Sequence, residues 1–326
     1  MENQRIVLAS RPKGWVTPDN FRLEKAEAPA PADGEVLVRN LWLSLDPYMR
    51  GRISEAKSYV KGVEIGEVMV GQTVGEVLES KHPALKRGDH VLTQTGWQLY
   101  GTTKEATKVD GTRAPLSYYL GVLGMPGMTA YFGLKDIGQP KAGETVVVSA
   151  ASGAVGSVVG QLAKLWGCRA IGIAGGREKC DYVTRELGFD ACIDYKSANL
   201  REELKALGVD VYFDNVGGEM LDILLARMKL FGRIVVCGMI ADYNALEPYR
   251  VKNLRALLVN RLKVQGMIVF DSKERYGEAL KALGGYYAAG KLKTRESVVE
   301  GLANAPQGLV SLLKGGNFGK QLVKLA

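Results

Sequence analysis

The chain has 326 residues, 46% hydrophobic and 24% charged, which is enough for two ordinary domains with their own cores and excludes a disordered or fibrous chain. Its net charge of +8 comes from basic residues interleaved with acidic ones, so it reads as a solvated surface that draws in an anionic cofactor, with no stripe or tail for nucleic acid. No apolar run approaches the ~20 residues of a membrane span, and the run at 6–9 is too short for a signal peptide core. The expectation is a cytoplasmic protein with no membrane or nucleic-acid partner. Four cysteines (Cys168, Cys180, Cys192, Cys237) without a CxxC pair, and two histidines (His82, His90), predict no metal site and a reducing compartment.

Residues 1–120 read as strands and turns. Alternation at 35–43 predicts a half-buried strand. A β-type run at 68–78, interrupted by Gly71 and Gly75, predicts a bent or bulged strand, and a turn at 86–89 leads into another at 90–93. After about 125, strands alternate with helices. Strands are expected at 145–149, 169–174, 191–194, 209–213, 233–237 and 262–269, and helices at 153–167, 177–187, 200–207, 219–230 and 273–288. Such alternation predicts an α/β fold, a doubly wound parallel sheet of the Rossmann type covered on both faces. From 293 the pattern returns to strand, helix and strand, with the last strand at 318–325 rejoining the first sheet. The dinucleotide-binding domain, 126–292, is thus expected as an insertion in a β-rich catalytic domain made of 1–125 and 293–326.

The strongest local signal is the strand TVVVS at 145–149 running into AASGAVG at 150–156 and then a helix. Small residues let the backbone approach a pyrophosphate, and unpaired N–H groups at the helix start complement its charge. Ser152, Gly153, Ala154, Val155 and Gly156 are therefore cofactor candidates. Ser152 stands where the usual GxGxxG fingerprint has its first glycine, and Gly160 is expected to let the helix pack closely on the sheet. The acid that accepts from a ribose 2′-hydroxyl is missing after the second strand, where the chain reads Gly175-Gly176-Arg177-Glu178-Lys179. Arg177 or Lys179 can pair with a 2′-phosphate, each charge-assisted bond contributing roughly 1.5–3 kcal/mol. This favours NADPH over NADH.

At these residues the chain resembles the zinc-free branch of the medium-chain dehydrogenases/reductases. Within it the likeness is to the prostaglandin reductase, leukotriene B4 dehydrogenase and alkenal double-bond reductase group, in its bacterial curcumin reductase form. The matching segments are LSLDPYMRG at 43–51, GVLGMPG at 121–127, the 150–156 turn, AGGREKC at 174–180, DNVGG at 214–218, CGMIADYN at 237–244 and GGNFG at 315–319. The resemblance implies a GroES-like catalytic domain and NADPH-dependent reduction of a carbon–carbon double bond conjugated to a carbonyl. It implies Tyr243 as the donor to the carbonyl oxygen, with Tyr48 lining the substrate pocket as a second donor. It places Lys179 and Tyr195 at the adenosine 2′-phosphate, and Asn215 and Asn317 at the nicotinamide half. Cys237, Gly238, Met239 and Ile240, with Met267, Ile268 and Val269, line that half, and Thr129 matches a position close by. Arg177 departs from many relatives, which carry Asp or Ser at 176–177, and adds a cation. The resemblance also implies a homodimer and a small apolar enone or alkenal as substrate.

Each of these residues has a plainer reading. Arg50 reads as a buried ion-pair partner, Asn215 as a strand-end cap, Asn317 as turn chemistry, and the cysteines as packing. Two other functions compete with enone reduction. An NADPH:quinone reductase of the neighbouring branch would not carry the 43–51 and 237–244 segments. A nucleotide-binding protein without turnover, contacting RNA, would need a basic stripe that the chain lacks.

Overall fold

The computed structural model describes residues 1–55 and 60–326, which divide into two compact units. One comprises 1–121, 296–317 and 321–326, and the other 122–295 and 318–320.

The first unit begins with β1 (Glu2–Leu8) and β2 (Phe21–Glu27), an antiparallel pair. β3 (Val36–Ser44) leads to the short α1 (Met49–Arg52), followed by β4 (Thr73–Ser80), β5 (His90–Thr93), β6 (Tyr100–Thr103) and β7 (Thr107–Lys108). Val36, Val38, Val77 and Val91 are fully buried on one face of this sheet, as the strand alternation demands. The run at 68–78 becomes a strand only from Thr73. Val68 makes an isolated bridge to Val7 instead, and a Cβ on Gly71 would lie 2.8 Å from Leu43, so the chain there packs as a close crossing. Gly75 is the predicted irregularity: β3 shifts register between Asn40 and Trp42 opposite it, and a Cβ would meet the Arg39 carbonyl at 2.3 Å.

The second unit opens with α2 (Met125–Phe132) and then winds β8 (Thr145–Ser149), α3 (Gly156–Leu165), β9 (Arg169–Ala174), α4 (Arg177–Asp181), β10 (Ala191–Asp194), α5 (Leu200–Glu203), β11 (Val209–Asp214), α6 (Gly218–Leu225), β12 (Met228–Val236), α7 (Arg255–Val259), β13 (Lys263–Gly266) and α8 (Tyr276–Ala288). The sheet order is β10-β9-β8-β11-β12-β13, with every pairing parallel. Val146, Val147 and Val148 are completely buried because β8 is covered on both faces. The order reverses between β8 and β11, and the outlet at that switch point is where such sheets bind ligands. The chain then returns through β14 (Glu296–Glu300) and α9 (Ala305–Leu313) to β15 (Lys320–Lys324), which pairs antiparallel with β3.

Four helices differ from expectation. The stretch expected as one helix from 153 starts at Gly156, because 150–155 form the turn, with Ala150 at φ +49°. The helix expected to reach 187 loosens into a π-type turn, Tyr182–Glu186. That expected to reach 230 ends at Leu225, since β12 begins at Met228 and passes through Phe231 at φ +60°, a backbone state that no helix accommodates. The helix expected over 200–207 ends at Glu203, although Asn199 caps its start.

Candidate active site

The candidate cofactor residues of the second unit follow the carboxyl ends of its strands. β8 ends at Ser149, and the turn after it is shaped by contacts that only glycine permits. A Cβ on Gly156 would lie 2.3 Å from the Ala150 carbonyl oxygen, and one on Gly153 would lie 3.1 Å from the same atom. Among the described residues, the backbone N–H groups of Ala154, Val155 and Gly156 find no backbone acceptor, which leaves a cradle of donors at the start of α3. The Gly319 N–H donates to the Ser152 carbonyl at 3.1 Å, and Gly153 bridges Gly319, so the C-terminal segment pins the turn. Gly160 has a different role from the one expected. Its absent Cβ makes room for the Phe189 ring, whose Cζ would lie only 1.7 Å away, and Phe189 belongs to the approach to β10 and not to the sheet.

Around the ends of β9 and β10 the side chains are charged. Gly175 lies beneath Tyr195 and Lys196. The Asp194 carboxylate accepts from the Gly176 N–H at 2.7 Å and from the Lys196 N–H at 3.0 Å, tying the two turns together. Those bonds hold its carboxyl below the usual range. Lys179 is half-buried, and desolvation first, then the Lys196 ammonium, lowers its pKa. The side chain of Arg177 is 90% exposed and leans toward Asp181 at 3.9 Å. The two cations left as alternatives by the sequence are thus differently placed: Lys179 packs into the turn and Arg177 faces solvent. Behind them the Cys180 and Cys192 sulfurs touch at 2.9 Å, and burial raises both thiols above their ordinary pKa.

At the ends of β11 and β12 the polar groups are buried. One oxygen of Asp214, which is fully buried, accepts from the Tyr212 hydroxyl at 2.7 Å, the Ser149 hydroxyl at 3.2 Å, and the Val216 and Gly217 N–H groups at 3.0 Å each. Burial nevertheless pushes its carboxyl above the usual range, and among the described residues its other oxygen has no partner. Ser149 passes this order to Asn215, whose N–H donates to its hydroxyl at 2.9 Å and whose side-chain amide donates to its carbonyl at 2.8 Å. Asn215 therefore does tie two strand ends together, with its amide held in one orientation.

The Cys237 and Gly238 N–H groups both reach the Asp214 carbonyl. Burial and the nearby Asp214 carboxylate push the Cys237 thiol up to about 12, which disfavours its thiolate. The Met239 N–H donates to the Tyr243 hydroxyl at 3.3 Å, and a Cβ on Gly238 would lie 3.4 Å from that oxygen. The segment beyond Tyr243 is tethered by Asp222, which accepts from the Tyr249 hydroxyl and from the N–H groups of Lys252 and Asn253. Ile240 is half-buried and Met239 more exposed. After β13, the Met267 N–H bonds the Val236 carbonyl, Met267 sulfur packs against Gly133, Ile268 is half-buried, and Val269 is buried with its carbonyl accepting from Tyr276. The Thr129 hydroxyl bonds the Met125 carbonyl of its own helix at 2.8 Å.

Tyr48 and Asn317 lie in the first unit, both half-buried. Tyr48 sits at the start of α1, where Asp46 accepts from Ser44 and its carbonyl accepts from the Met49 N–H. Arg50 is buried and donates to the Gly14 carbonyl at 2.9 Å. Among the described residues no group of three or more His, Cys, Asp or Glu is placed to hold a metal ion. Sequence reasoning passed over Lys196, Asp194, Ser149, Asp214 and Gly319. The first follows directly on Tyr195, but the others acquire their roles only when distant strand ends meet.

The family described as the N-terminal domain of oxidoreductase matches residues 4–110, and that described as zinc-binding dehydrogenase matches 154–284. The NADPH-dependent curcumin reductase of Escherichia coli is 48% identical, covering 99% of this chain and 97% of that protein. The NADP-dependent 2-alkenal reductase of Nicotiana tabacum is 42% identical, covering 100% and 98%. The crystal structure of CurA from Vibrio vulnificus in complex with NADPH is 50% identical and superposes with a TM-score of 0.94, over 99% of each chain. On this full-length likeness the chain belongs to the medium-chain dehydrogenases/reductases, in the group that holds the curcumin and alkenal double-bond reductases.

Proposed function

We propose that the protein uses NADPH to reduce the carbon–carbon double bond of α,β-unsaturated ketones and aldehydes. The observation that carries this is the full-length likeness to reductases of curcumin and of 2-alkenals, because those two substrates share only the conjugated enone or enal. The residues fit the cofactor. The open N–H groups at 154–156 suit a pyrophosphate, and the cations beside Gly175 suit a 2′-phosphate. Ser152, Gly153, Ala154, Val155 and Gly156 hold the first. Gly175, Lys179 and Tyr195 hold the second, with Arg177 at its solvent edge. Asn215, residues 237–240 and 267–269, and Asn317 hold the nicotinamide half. NADPH supplies the hydride that the β-carbon receives.

The carbonyl oxygen gains charge as the β-carbon is reduced. In this reading the Tyr243 phenol donates to that oxygen. Its oxygen accepts from the Met239 N–H at 3.3 Å, a contact that orients the phenol for that role. The α-carbon is protonated afterwards. Tyr48 walls the substrate pocket and offers a second donor. Quinone reduction is the less favoured reading, since it would leave the 43–51 and 237–244 segments without a purpose.

A homodimer formed through the nucleotide-binding unit is part of the proposal. It is supported by the edge strand β13, exposed along its whole length, and by Leu258 and Val259 of α7, 79% and 51% exposed. A cytoplasmic location is supported by cysteines that are all free thiols.

Product analysis with deuterated NADPH tests the chemistry. A single deuterium on the β-carbon of a saturated ketone is the expected outcome. Deuterium on a carbinol carbon would make the protein a carbonyl reductase instead.

A further inference from the structure

The adenosine end of the site holds one more cation than the resemblance accounts for. A Cβ built on Gly175 would lie 2.9 Å from the ring and the hydroxyl of Tyr195 and 3.0 Å from Cε of Lys196. Both side chains of the turn after β10 therefore lie against the position where an enzyme reading a free ribose hydroxyl needs an acid. Their backbone is fixed there. Asp194 spends one oxygen on the Gly176 and Lys196 N–H groups and the other on the Ser197 hydroxyl at 3.0 Å. The charge of Lys196 opposes that of Lys179, while Glu178 partly offsets it and is itself faced by Arg295 at 3.8 Å. Two ammonium groups held near one another cost energy in the ligand-free protein, and an anion reverses the sign. A phosphomonoester carries close to two negative charges at neutral pH, which two ammonium groups match better than one.

We propose that Lys196 is a second phosphate-binding cation, which together with Lys179 sets the preference for the 2′-phosphorylated cofactor, while Gly175 keeps the space beneath Tyr195 and Lys196 free of a side chain. The assignment rests on the NADPH reading above. Arg177, exposed and turned toward Asp181, is not part of the pair.

The test is calorimetric titration of 2′,5′-ADP and of 5′-AMP into the wild-type protein, Lys196→Gln, Lys196→Arg and Lys179→Gln. The expected result is a loss of about tenfold to a hundredfold in 2′,5′-ADP affinity for Lys196→Gln. Its 5′-AMP affinity stays unchanged, which shows that the site is folded, and Lys196→Arg retains most of the binding. The dependence on salt becomes shallower in Lys196→Gln, because one charge has left the contact. If Lys196→Gln binds 2′,5′-ADP as tightly as a wild type that itself discriminates, Lys196 is no phosphate ligand and the NADPH reading stands without it. If the wild type binds both nucleotides equally, the cofactor reading and this assignment fall together.

Discussion

The two ends of the nucleotide-binding unit's sheet hold their candidate cofactor residues by opposite means. At β9 and β10 the groups are exposed or half-buried: Tyr195 is 46% exposed, Lys196 is exposed, and Lys179 is half-buried. At β11 and β12 they hang on a buried core, where Asp214 accepts from the Ser149 hydroxyl and the Ser149 carbonyl in turn accepts from the Asn215 side-chain amide. In the proposed reading the first end works by charge at a solvent-exposed surface. The second works by geometry, where an unpaired polar group is costly and a displaced one fails. On the proposed assignment, recognition of the cofactor and its chemistry are separated along one sheet, and each can be disturbed without the other.

The largest expected effect is at the geometric end. Tyr243→Phe removes the proposed donor to the developing oxyanion and should lower kcat by tens of fold or more, toward ~10²-fold, with little change in NADPH affinity. Unaltered turnover with a good enone would remove Tyr243 from the chemistry.

Next comes the charged end. Lys179→Ala should raise the KM for NADPH by about tenfold to a hundredfold while that for NADH barely moves. An equal rise for both cofactors would mean that the lysine supports the turn and does not read the phosphate. A smaller effect sharpens the same contrast. Raising ionic strength should weaken binding of NADPH several-fold, by about the screening of one or two close charge pairs, and leave NADH nearly untouched.

Gly160→Ala probes neither end. It pushes a methyl group against the Phe189 ring and should cost about 1–3 kcal/mol of stability in urea unfolding, with KM values kept. An unchanged midpoint would show that the ring moves aside freely. EDTA should produce no effect at all on the rate, and a clear loss would reopen the question of a metal.

Much of this architecture is legible from residues alone. β8 and β9 fall where their apolar runs predict, since strands buried on both faces leave a continuous apolar signature, and the half-buried edge strand β10 also falls where expected. The β12 boundary is hidden, because MKLFG at 228–232 continues the apolar spacing of α6 while Phe231 takes a left-handed backbone that composition does not announce. The glycine turn at 150–156 is legible as a motif, but its anchoring by Gly319 is not, because the two lie far apart in the chain. Gly160 is a similar case: a glycine predicts a close approach, and only the fold says that the neighbour is Phe189. Lys179 and Arg177 are indistinguishable as letters, and burial separates them.

The most direct test of the central claim is NADPH absorbance followed with an alkenal, an aryl enone, curcumin and a quinone, each repeated with NADH. Rapid oxidation of NADPH by the enones and the alkenal, with little by the quinone and little of NADH, is the predicted result. Oxidation by the quinone alone, or by no substrate in the panel, would contradict it.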